Sequence, residues 1–238
     1  MLYREKLNIM HNIYIAGTGI WHPEEKVSND EIVNSYNSYV EKFNQENNLE
    51  IANGSIEAME FSSVEFIEKA SGIKSRYVID KEGILDINRM MPRVKNEHPD
   101  RLSIHAEVGI QAAKKAMDQA NVRPNEIDAV IVGTSHAARN YPAVAIEIQQ
   151  ELGINGYAYD MLVGCSSTTF AINNAYSDIA SGLANSVLVI NPEISTPFVN
   201  FTHRDKHFIF GDGCAATVVQ RDSTSDKAFK IIDRKLHT

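Results

Sequence analysis

The sequence predicts an α/β fold in which helices pack on a largely parallel sheet. Helical and extended patterns alternate along the chain, and the segment Ile127–Thr134 is apolar almost throughout, as is typical of a strand covered on both faces. Glycine and proline separate many of the predicted elements. At 238 residues, of which 43% are hydrophobic, the chain can bury the core of one domain or of two small ones.

Composition excludes several classes of protein. The net charge of −8 argues against a nucleic-acid-binding surface. The longest apolar runs are too short to span a bilayer, and the first residues lack the apolar core of a signal peptide, so we expect a cytoplasmic protein that does not bind membranes. Two cysteines, Cys165 and Cys214, provide neither a disulfide framework nor a cysteine-rich zinc site.

The first third of the chain begins with a strand, Asn12–Ile20, that contains Gly17 and Gly19. Because Trp21-His22-Pro23 supplies no third glycine, this strand does not match a dinucleotide-binding fingerprint. Periodic apolar residues then predict two helices, which are followed by a turn with a short strand and by an irregular segment. These segments are Asp30–Asn48 (helix), Ser55–Ala70 (helix), Ser71–Ile79 (turn and short strand) and Lys81–Arg101 (surface loop, lid or partner contact).

The remaining chain alternates helices with buried strands. Small residues on one side of the first of these helices would let it lie close to a sheet. The predicted elements are Ser103–Asn121 (helix), Ile127–Thr134 (strand), Pro142–Leu152 (helix), Ser186–Ile190 (strand), and a strand pair at Phe208–Phe210 and Ala215–Gln220.

Cys165 lies where a predicted strand ending at Val163 turns into a predicted helix starting at Ser166. A helix N-terminus presents unpaired backbone N–H groups and the positive end of the helix dipole, which favours a reactive thiolate. The alternative is that Cys165 is a small buried hydrophobic residue, as free cysteines usually are. The residues of this segment alone do not decide between the two.

Two other groups of residues are weaker candidates for a catalytic or metal-binding site. His203 and His207 are four residues apart, but no third ligand is evident, so we expect loop histidines and no metal site. Cys214 follows Gly211-Asp212-Gly213 at a strand start and is interpreted as a core residue. Asp212 is expected to accept hydrogen bonds from the N–H groups of this turn.

Four motifs occur in the order found in one enzyme family. They are Gly17-Thr18-Gly19-Ile20-Trp21-His22-Pro23-Glu24 with Ser28-Asn29-Asp30, then Ser71-Gly72-Ile73-Lys74-Ser75-Arg76, the segment Asp160–Cys165, and Phe210-Gly211-Asp212-Gly213-Cys214-Ala215-Ala216. Together they resemble β-ketoacyl-acyl-carrier-protein synthase III, of the thiolase superfamily. Each motif is weak alone, but the four span nearly the whole chain.

The resemblance implies a thiolase-like half, with helices packed on a mixed five-stranded sheet. It makes Cys165 the nucleophile that takes an acyl group from acyl-CoA and passes it to the carbanion formed from malonyl-acyl-carrier protein, and it makes the Cys165 N–H an oxyanion donor. Acyl-CoA is then a substrate, and no cofactor is expected. The resemblance also implies a homodimer formed through an edge strand near the nucleophile, which we expect to be Ser186–Ile190.

The resemblance further implies how the domains are organised. Residues 1–238 correspond to the N-terminal thiolase-like domain, with insertions near 37–54 and 81–101. The family's catalytic His and Asn lie in a second half, and none of the eight histidines here lies in that His motif. We therefore expect the C-terminal catalytic half to be absent and this chain alone to be inactive in the full condensation.

Substrate-binding candidates also follow from the resemblance. The family's adenine-contacting positions correspond to Phe66, Ala70 and Arg204, so Phe66 is expected to stack and Arg204 to supply a cation–π contact, whereas Ala70 offers neither. Arg76 either pairs with an acid in the fold or contacts the carrier protein or CoA. Phe66, Arg204 and Arg76 are therefore the predicted substrate-binding residues.

Three functions of different classes remain. The first is the acyl-transferring domain of a condensing enzyme. The second is a non-catalytic half-thiolase interaction subunit completed by a partner chain, in which Cys165 reacts slowly with iodoacetamide. The third is a cysteine hydrolase, which needs a histidine partner for Cys165 and lacks the local signatures of such enzymes.

Overall fold

The computed structural model describes residues 12–94, 100–223 and 225–237. In chain order the elements are β1 (Ile13–Trp21), β2 (Lys26–Ser28), α1 (Asn29–Glu46), α2 (Asn48–Ala52), α3 (Val64–Ser71), β3 (Ser75–Tyr77), α4 (Lys81–Leu85), α5 (Ile104–Ala120), β4 (Ala129–Gly133), α6 (Val144–Leu152), β5 (Tyr157–Met161), α7 (Ser167–Ala180), β6 (Ser186–Ile194), β7 (Asp212–Arg221) and β8 (Phe229–Lys230). None of the described helices has the length and apolar character needed to cross a membrane.

Within the described residues, one mixed sheet has the strand order β5-β4-β6-β7-β1-β8. β4 pairs in parallel with β5 and β6, and β1 pairs antiparallel with β7 and β8. The predicted α/β class with a mixed sheet is confirmed. The sheet contains the five expected strands and a two-residue sixth strand, β8, at its edge.

The described residues form two compact units. The first comprises residues 12–21, 100–193 and 214–237, without residue 224, and contains the large sheet. One of its hydrophobic clusters joins the sheet to α7 and consists of Ile13, Ala129, Ile131, Ala171, Ala175, Ile179, Ala184, Val187, Val189 and Val219. Small residues at Ala171 and Ala175 let α7 lie close to the strands.

Gly17 and Gly19 of β1 face the backbone of α5. A Cβ atom on Gly17 would lie 2.5 Å from the nitrogen of Ala120, and one on Gly19 would lie 2.6 Å from the nitrogen of Ala116. The two glycines therefore permit close packing of α5 on β1.

The second unit comprises residues 22–94 and 194–213. β2 and β3 form a two-stranded antiparallel sheet, and α1 begins with a capping box in which Ser28 and Glu31 bond each other's backbone N–H. Its hydrophobic cluster contains Val27, Ile32, Val33, Ile67, Val78, Ile84, Met90, Val199, Phe201 and Phe208.

The helix predicted at Ser55–Ala70 is wrong in its first half, because α3 begins only at Val64. Side-chain amides of α1 satisfy the backbone of the preceding segment: Asn44 bonds both the N–H and the carbonyl of Met59, and Asn37 does the same for Ser62. This segment is thereby held in a non-helical conformation until Ser63 caps α3.

Two strand assignments also need correction. Phe208–Phe210 is not a strand, because its backbone forms turns, in one of which the N–H of Ile209 donates to the carbonyl of Lys206. Ser186–Ile190 belongs to β6, which lies between β4 and β7 and is therefore not an edge. The edge strand on that side of the sheet is β5.

The two predicted insertions contain helices. The segment near 37–54 continues α1 and adds α2, and the segment near 81–101 begins with α4. Residues 95–99 of the second segment lie outside the described residues. After α4, Asp80 accepts hydrogen bonds from the backbone and the side chain of Arg93, which closes residues 80–93 into a compact loop.

Candidate active site

Cys165 lies at the turn between β5 and α7, as the sequence predicted, and it is exposed. Gly164–Ser166 form one 3-10 turn that leads directly into α7, and Cys165 is exposed at its centre. Gly164 has a φ of +57°, in the left-handed region that favours glycine, and a Cβ there would meet no atom within 4 Å. The prediction of a strand–turn–helix around Cys165 is confirmed, and the alternative of a buried cysteine is wrong.

The backbone around Cys165 provides hydrogen-bond donors. The N–H of Ser166 bonds the carbonyl of Val163, and the N–H of Ser167 bonds that of Gly164. The N–H of Cys165 donates to no carbonyl or side chain among residues 12–94, 100–223 and 225–237. This N–H is therefore available to an incoming oxyanion, on the same residue as the exposed thiol.

The hydroxyl of Ser167 braces this turn. It accepts the N–H of Val163 at 2.9 Å, and it lies 2.8 Å from the carbonyl oxygen of Gly164 and 3.2 Å from that of Thr134. Ser167 is 2% exposed. A buried hydroxyl thus connects both ends of the turn with the residue that follows β4.

Asp160, at the end of β5, caps a neighbouring helix. Its carboxylate oxygens accept the N–H groups of Val144 at 2.7 Å and Ala145 at 2.8 Å, at the start of α6. The residue preceding α6, Ala143, has no capping side chain, so Asp160 takes over that role. Burial raises the pKa of Asp160, and the two backbone N–H groups oppose that rise.

Phe66 and Arg204, both in the second unit, are in contact. The guanidinium carbon of Arg204 lies 4.0 Å from the centre of the Phe66 ring, and its Nε donates to the carbonyl of Phe61 at 2.9 Å. The ring of Phe66 also packs edge-on against the ring of Phe208, with 5.7 Å between the ring centres. The structure therefore brings these two predicted substrate-binding residues together, and Ala70 lies exposed on the same helix as Phe66.

Arg76, the third predicted substrate-binding residue, is 5% exposed. Its guanidinium donates to the carbonyl of Val27 at 3.3 Å and to Oδ1 of Asn29 at 2.7 Å. Burial lowers the pKa of Arg76 to about 10, so it remains charged at neutral pH. These contacts join β2, α1 and β3, and a role in substrate binding stays a prediction.

The Gly211-Asp212-Gly213 turn is organised differently from the prediction. Asp212 accepts from the N–H of Ile79 and from the N–H and hydroxyl of Thr196, rather than from N–H groups of its own turn. A side chain on Gly211 would lie 2.6 Å from the carbonyl oxygen of Tyr77. Asp212 thus ties two distant segments of the second unit together.

Cys214 and His207 are both buried. Cys214 is 6% exposed, and burial raises the pKa of its thiol to about 12, so it stays protonated at neutral pH. His207 is fully buried, and its Nδ1 faces the carbonyl of His203. In the described part of the chain, no three His, Cys, Asp or Glu residues are grouped so that they could hold a metal ion.

The sequence did not reveal the role of Ser167 at the Cys165 turn or the burial of Glu147. Glu147 is 7% exposed and accepts hydrogen bonds from the N–H and hydroxyl of Ser103 and from Arg139. The sequence signal for Ser167 was a polar residue at the second position of the helix predicted from Ser166, which is equally typical of a cap and of a solvent-exposed residue. Glu147 gave no signal, because a glutamate in an amphipathic helix usually faces water.

Comparison with known proteins shows that this chain is similar to members of one family. The family described as 3-oxoacyl-[acyl-carrier-protein] synthase III matches residues 159–238, which include the Cys165 turn. A β-ketodecanoyl-[acyl-carrier-protein] synthase of Pseudomonas aeruginosa is 47% identical over 206 residues, covering 86% of this chain and 59% of the relative. A β-ketoacyl-[acyl-carrier-protein] synthase III of Ehrlichia canis is 29% identical and covers 96% of this chain and 58% of the relative.

The solved structures agree. The crystal structure of 3-oxoacyl-[acyl-carrier-protein] synthase III from Aquifex aeolicus superposes with a TM-score of 0.65 at 28% identity, covering 89% of this chain and 54% of that chain. The resemblance predicted from the four motifs is confirmed. In each of these matches the chain spans between 54% and 59% of the other protein's length.

Proposed function

Because the chain is a homologue of 3-oxoacyl-acyl-carrier-protein synthase III in the thiolase superfamily, we propose that it carries the nucleophile of a condensing enzyme. Cys165 takes an acyl group from acyl-CoA and delivers it to a carbanion derived from malonyl-acyl-carrier protein. The observation that supports this best is the position of Cys165, exposed at the start of α7 with an available backbone N–H.

The acylation step uses groups of this turn. The Cys165 thiolate attacks the thioester carbonyl, the carbonyl oxygen gains negative charge, and the Cys165 N–H stabilises that charge. The tetrahedral intermediate then collapses, the bond to CoA breaks, and the CoA thiolate leaves and takes up a proton. A helix N-terminus supports the attacking thiolate without a neighbouring histidine.

Condensation completes the proposed reaction. Loss of carbon dioxide from malonyl-acyl-carrier protein leaves a carbanion that attacks the acyl-Cys165 carbonyl, forms the new carbon–carbon bond and releases the Cys165 thiolate. The residues that assist decarboxylation are proposed to come from a second thiolase-like half, so residues 1–238 alone perform acylation and not the full condensation. The reaction as proposed uses acyl-CoA as substrate and needs no cofactor. Its expected place is the cytoplasm, in fatty-acid or related biosynthesis.

The proposed primer is a medium-chain acyl group. The Pseudomonas relative is named for a ten-carbon product, β-ketodecanoyl-acyl-carrier protein. Since each condensation adds two carbons, we propose a primer of about eight carbons for this chain. Phe66 and Arg204 are the proposed contacts of the CoA moiety, because they already form a stacked aromatic–cation pair.

The proposed assembly is a homodimer through the edge strand β5. Among the described residues β5 pairs on one side only, with β4, and so presents unpaired backbone N–H and carbonyl groups along its other side. Light scattering at rising concentration tests this: we expect a dimer or larger species, and a monomer at all concentrations contradicts it.

Alkylation at neutral pH separates the condensing enzyme from the non-catalytic interaction subunit. We expect iodoacetamide to modify Cys165 rapidly and Cys214 very slowly, because Cys214 is buried and protonated. Peptide mapping after timed quenching measures both rates in one sample, so Cys214 serves as the internal control. Equal, slow modification of both cysteines contradicts the proposal and favours the interaction subunit.

A further inference from the structure

Ser167 differs from its neighbours in burial. Along the turn from Leu162 to Cys165 every residue is exposed and Ser166 is half-buried, whereas Ser167 is 2% exposed. The hydroxyl of a buried serine needs hydrogen-bond partners, and this one has them in the turn itself.

The bond from the Val163 N–H to Ser167 Oγ closes a ring that contains Gly164, Cys165 and Ser166. Within this ring the hydroxyl also lies 2.8 Å from the carbonyl oxygen of Gly164. The orientation of the Cys165 N–H and of its thiol therefore depends on a short loop whose two ends are joined by one side chain.

The ring is also fixed to the sheet. Ser167 Oγ lies 3.2 Å from the carbonyl oxygen of Thr134, directly after β4. A Cβ on Gly133 would lie 2.9 Å from the carbonyl oxygen of Ser167, so the end of β4 packs against the backbone of Ser167 itself. Thr134 in turn donates its hydroxyl to the carbonyl of Pro192, a buried residue of β6. Ser167 thus cannot move toward the sheet, and the turn is held between fixed points.

We propose that Ser167 is a positioning residue for Cys165: its hydroxyl sets the backbone geometry that points the Cys165 N–H and thiol at the same thioester carbonyl. This inference rests on the proposed role of Cys165 as nucleophile. Ser167 does not touch the substrate, and its effect passes through the Val163–Ser167 ring.

The test compares Ser167→Ala and Ser167→Thr with the control Ser166→Ala, which removes a hydroxyl from the same turn that makes no capping hydrogen bond. Single-turnover acylation of Cys165 by octanoyl-CoA is followed by intact mass. We expect Ser167→Ala to lower the maximal acylation rate about 10-fold while the half-saturating concentration changes less than about twofold. Ser167→Thr, which keeps a hydroxyl, should recover most of the rate, and Ser166→Ala should match the wild type.

Amide hydrogen exchange of Val163 and alkylation of Cys165 by iodoacetamide are measured in the same proteins. Ser167→Ala should raise the exchange rate of Val163 about 10-fold, because its N–H loses its acceptor. If wild-type Cys165 takes no acyl group, the proposed function fails, and the exchange and alkylation rates still decide the role of Ser167. A Ser167→Ala protein whose Val163 exchange and Cys165 reaction rates all stay within twofold of wild type overturns the inference.

Discussion

Replacing Gly19 by alanine should destabilise the first unit without touching any charged group. Gly19 lies in β1 against α5, and its φ is not in the positive range, so alanine can adopt the backbone conformation. The obstacle is space: the new methyl group would contact the carbonyl oxygen of Ala112 and lie 2.6 Å from the nitrogen of Ala116 and 2.8 Å from Cβ of Lys115. Two of these three atoms belong to the helix backbone and cannot rotate away.

The expected cost follows from this geometry. Overpacking of this kind typically costs about 1–3 kcal/mol, and the reduced freedom of the unfolded chain returns about 0.4–1 kcal/mol. We therefore expect Gly19→Ala to lower the free energy of unfolding by about 1–2 kcal/mol, which corresponds to a fall in Tm of about 2–8 °C. Gly17→Ala should act similarly, and the double variant should cost less than the sum, since both press on one helix.

Urea and thermal unfolding measure this effect, with Ile20→Ala as the matched control. Ile20 follows Gly19 in β1 but is 63% exposed, so its truncation should change stability by less than about 0.5 kcal/mol. If Gly19→Ala also stays within 0.5 kcal/mol of wild type, α5 does not pack on β1 as closely as the structure shows, and the structural role of these glycines is refuted.

Three further predictions test other parts of the account. Asp160→Ala should lower the free energy of unfolding by about 1–2 kcal/mol, because α6 loses the carboxylate that caps Val144 and Ala145, and urea unfolding against the wild type measures it. Burial lowers the pKa of His105 from 6.5 to about 4, and in the described structure both ring nitrogens lack hydrogen-bond partners. Between pH 6.5 and pH 4 the histidine is therefore protonated in the unfolded chain and neutral in the folded chain, so the free energy of unfolding should fall as pH drops through this range. The contribution of His105 to the slope of unfolding free energy against pH is at most about 1.4 kcal/mol per pH unit. Urea unfolding at a series of pH values measures this slope: His105→Leu should reduce it between pH 6.5 and pH 4, and an unchanged slope contradicts the prediction. Phe66→Ala and Arg204→Ala should each raise the half-saturating concentration of acyl-CoA about 3–10-fold without lowering the rate at which iodoacetamide alkylates Cys165. If both variants bind CoA with the affinity of the wild type in a titration, neither residue contacts CoA as proposed.

Local chemistry predicted the elements whose signals lie within a few residues. The cysteine turn, α5 and the strand Ala129–Gly133 were all predicted from periodicity and glycine placement. Segment Ser55–Ser63 was mistaken for helix, because its backbone partners are the side chains of Asn37 and Asn44, which its own residues do not reveal. The position of each strand in the sheet also depends on pairing with distant segments, and the observed strand order shows that β5, not β6, is the edge.

The sequence predicted the candidate nucleophile but not the residues that hold the nearby backbone in place. Cys165 was marked by its place at a helix start, and Phe66 and Arg204 by matching family positions. The roles of Ser167 and Asp160 depend on contacts with Thr134 and with α6, which lie 33 and 15–16 residues away in sequence. Long-range partners of this kind determine whether a polar residue serves as a brace, as a cap or as a solvent-exposed side chain.

The central claim is that Cys165 accepts an acyl group, and intact-mass spectrometry tests it most directly. The chain and its Cys165→Ala variant are incubated with acyl-CoA thioesters of two to twelve carbons. We expect the wild type to gain the mass of one acyl group and the variant to gain none, and we expect the acylated fraction to be highest for a thioester of about eight carbons. Equal labelling of both proteins, or no labelling of the wild type at any chain length while iodoacetamide still modifies Cys165, would contradict it.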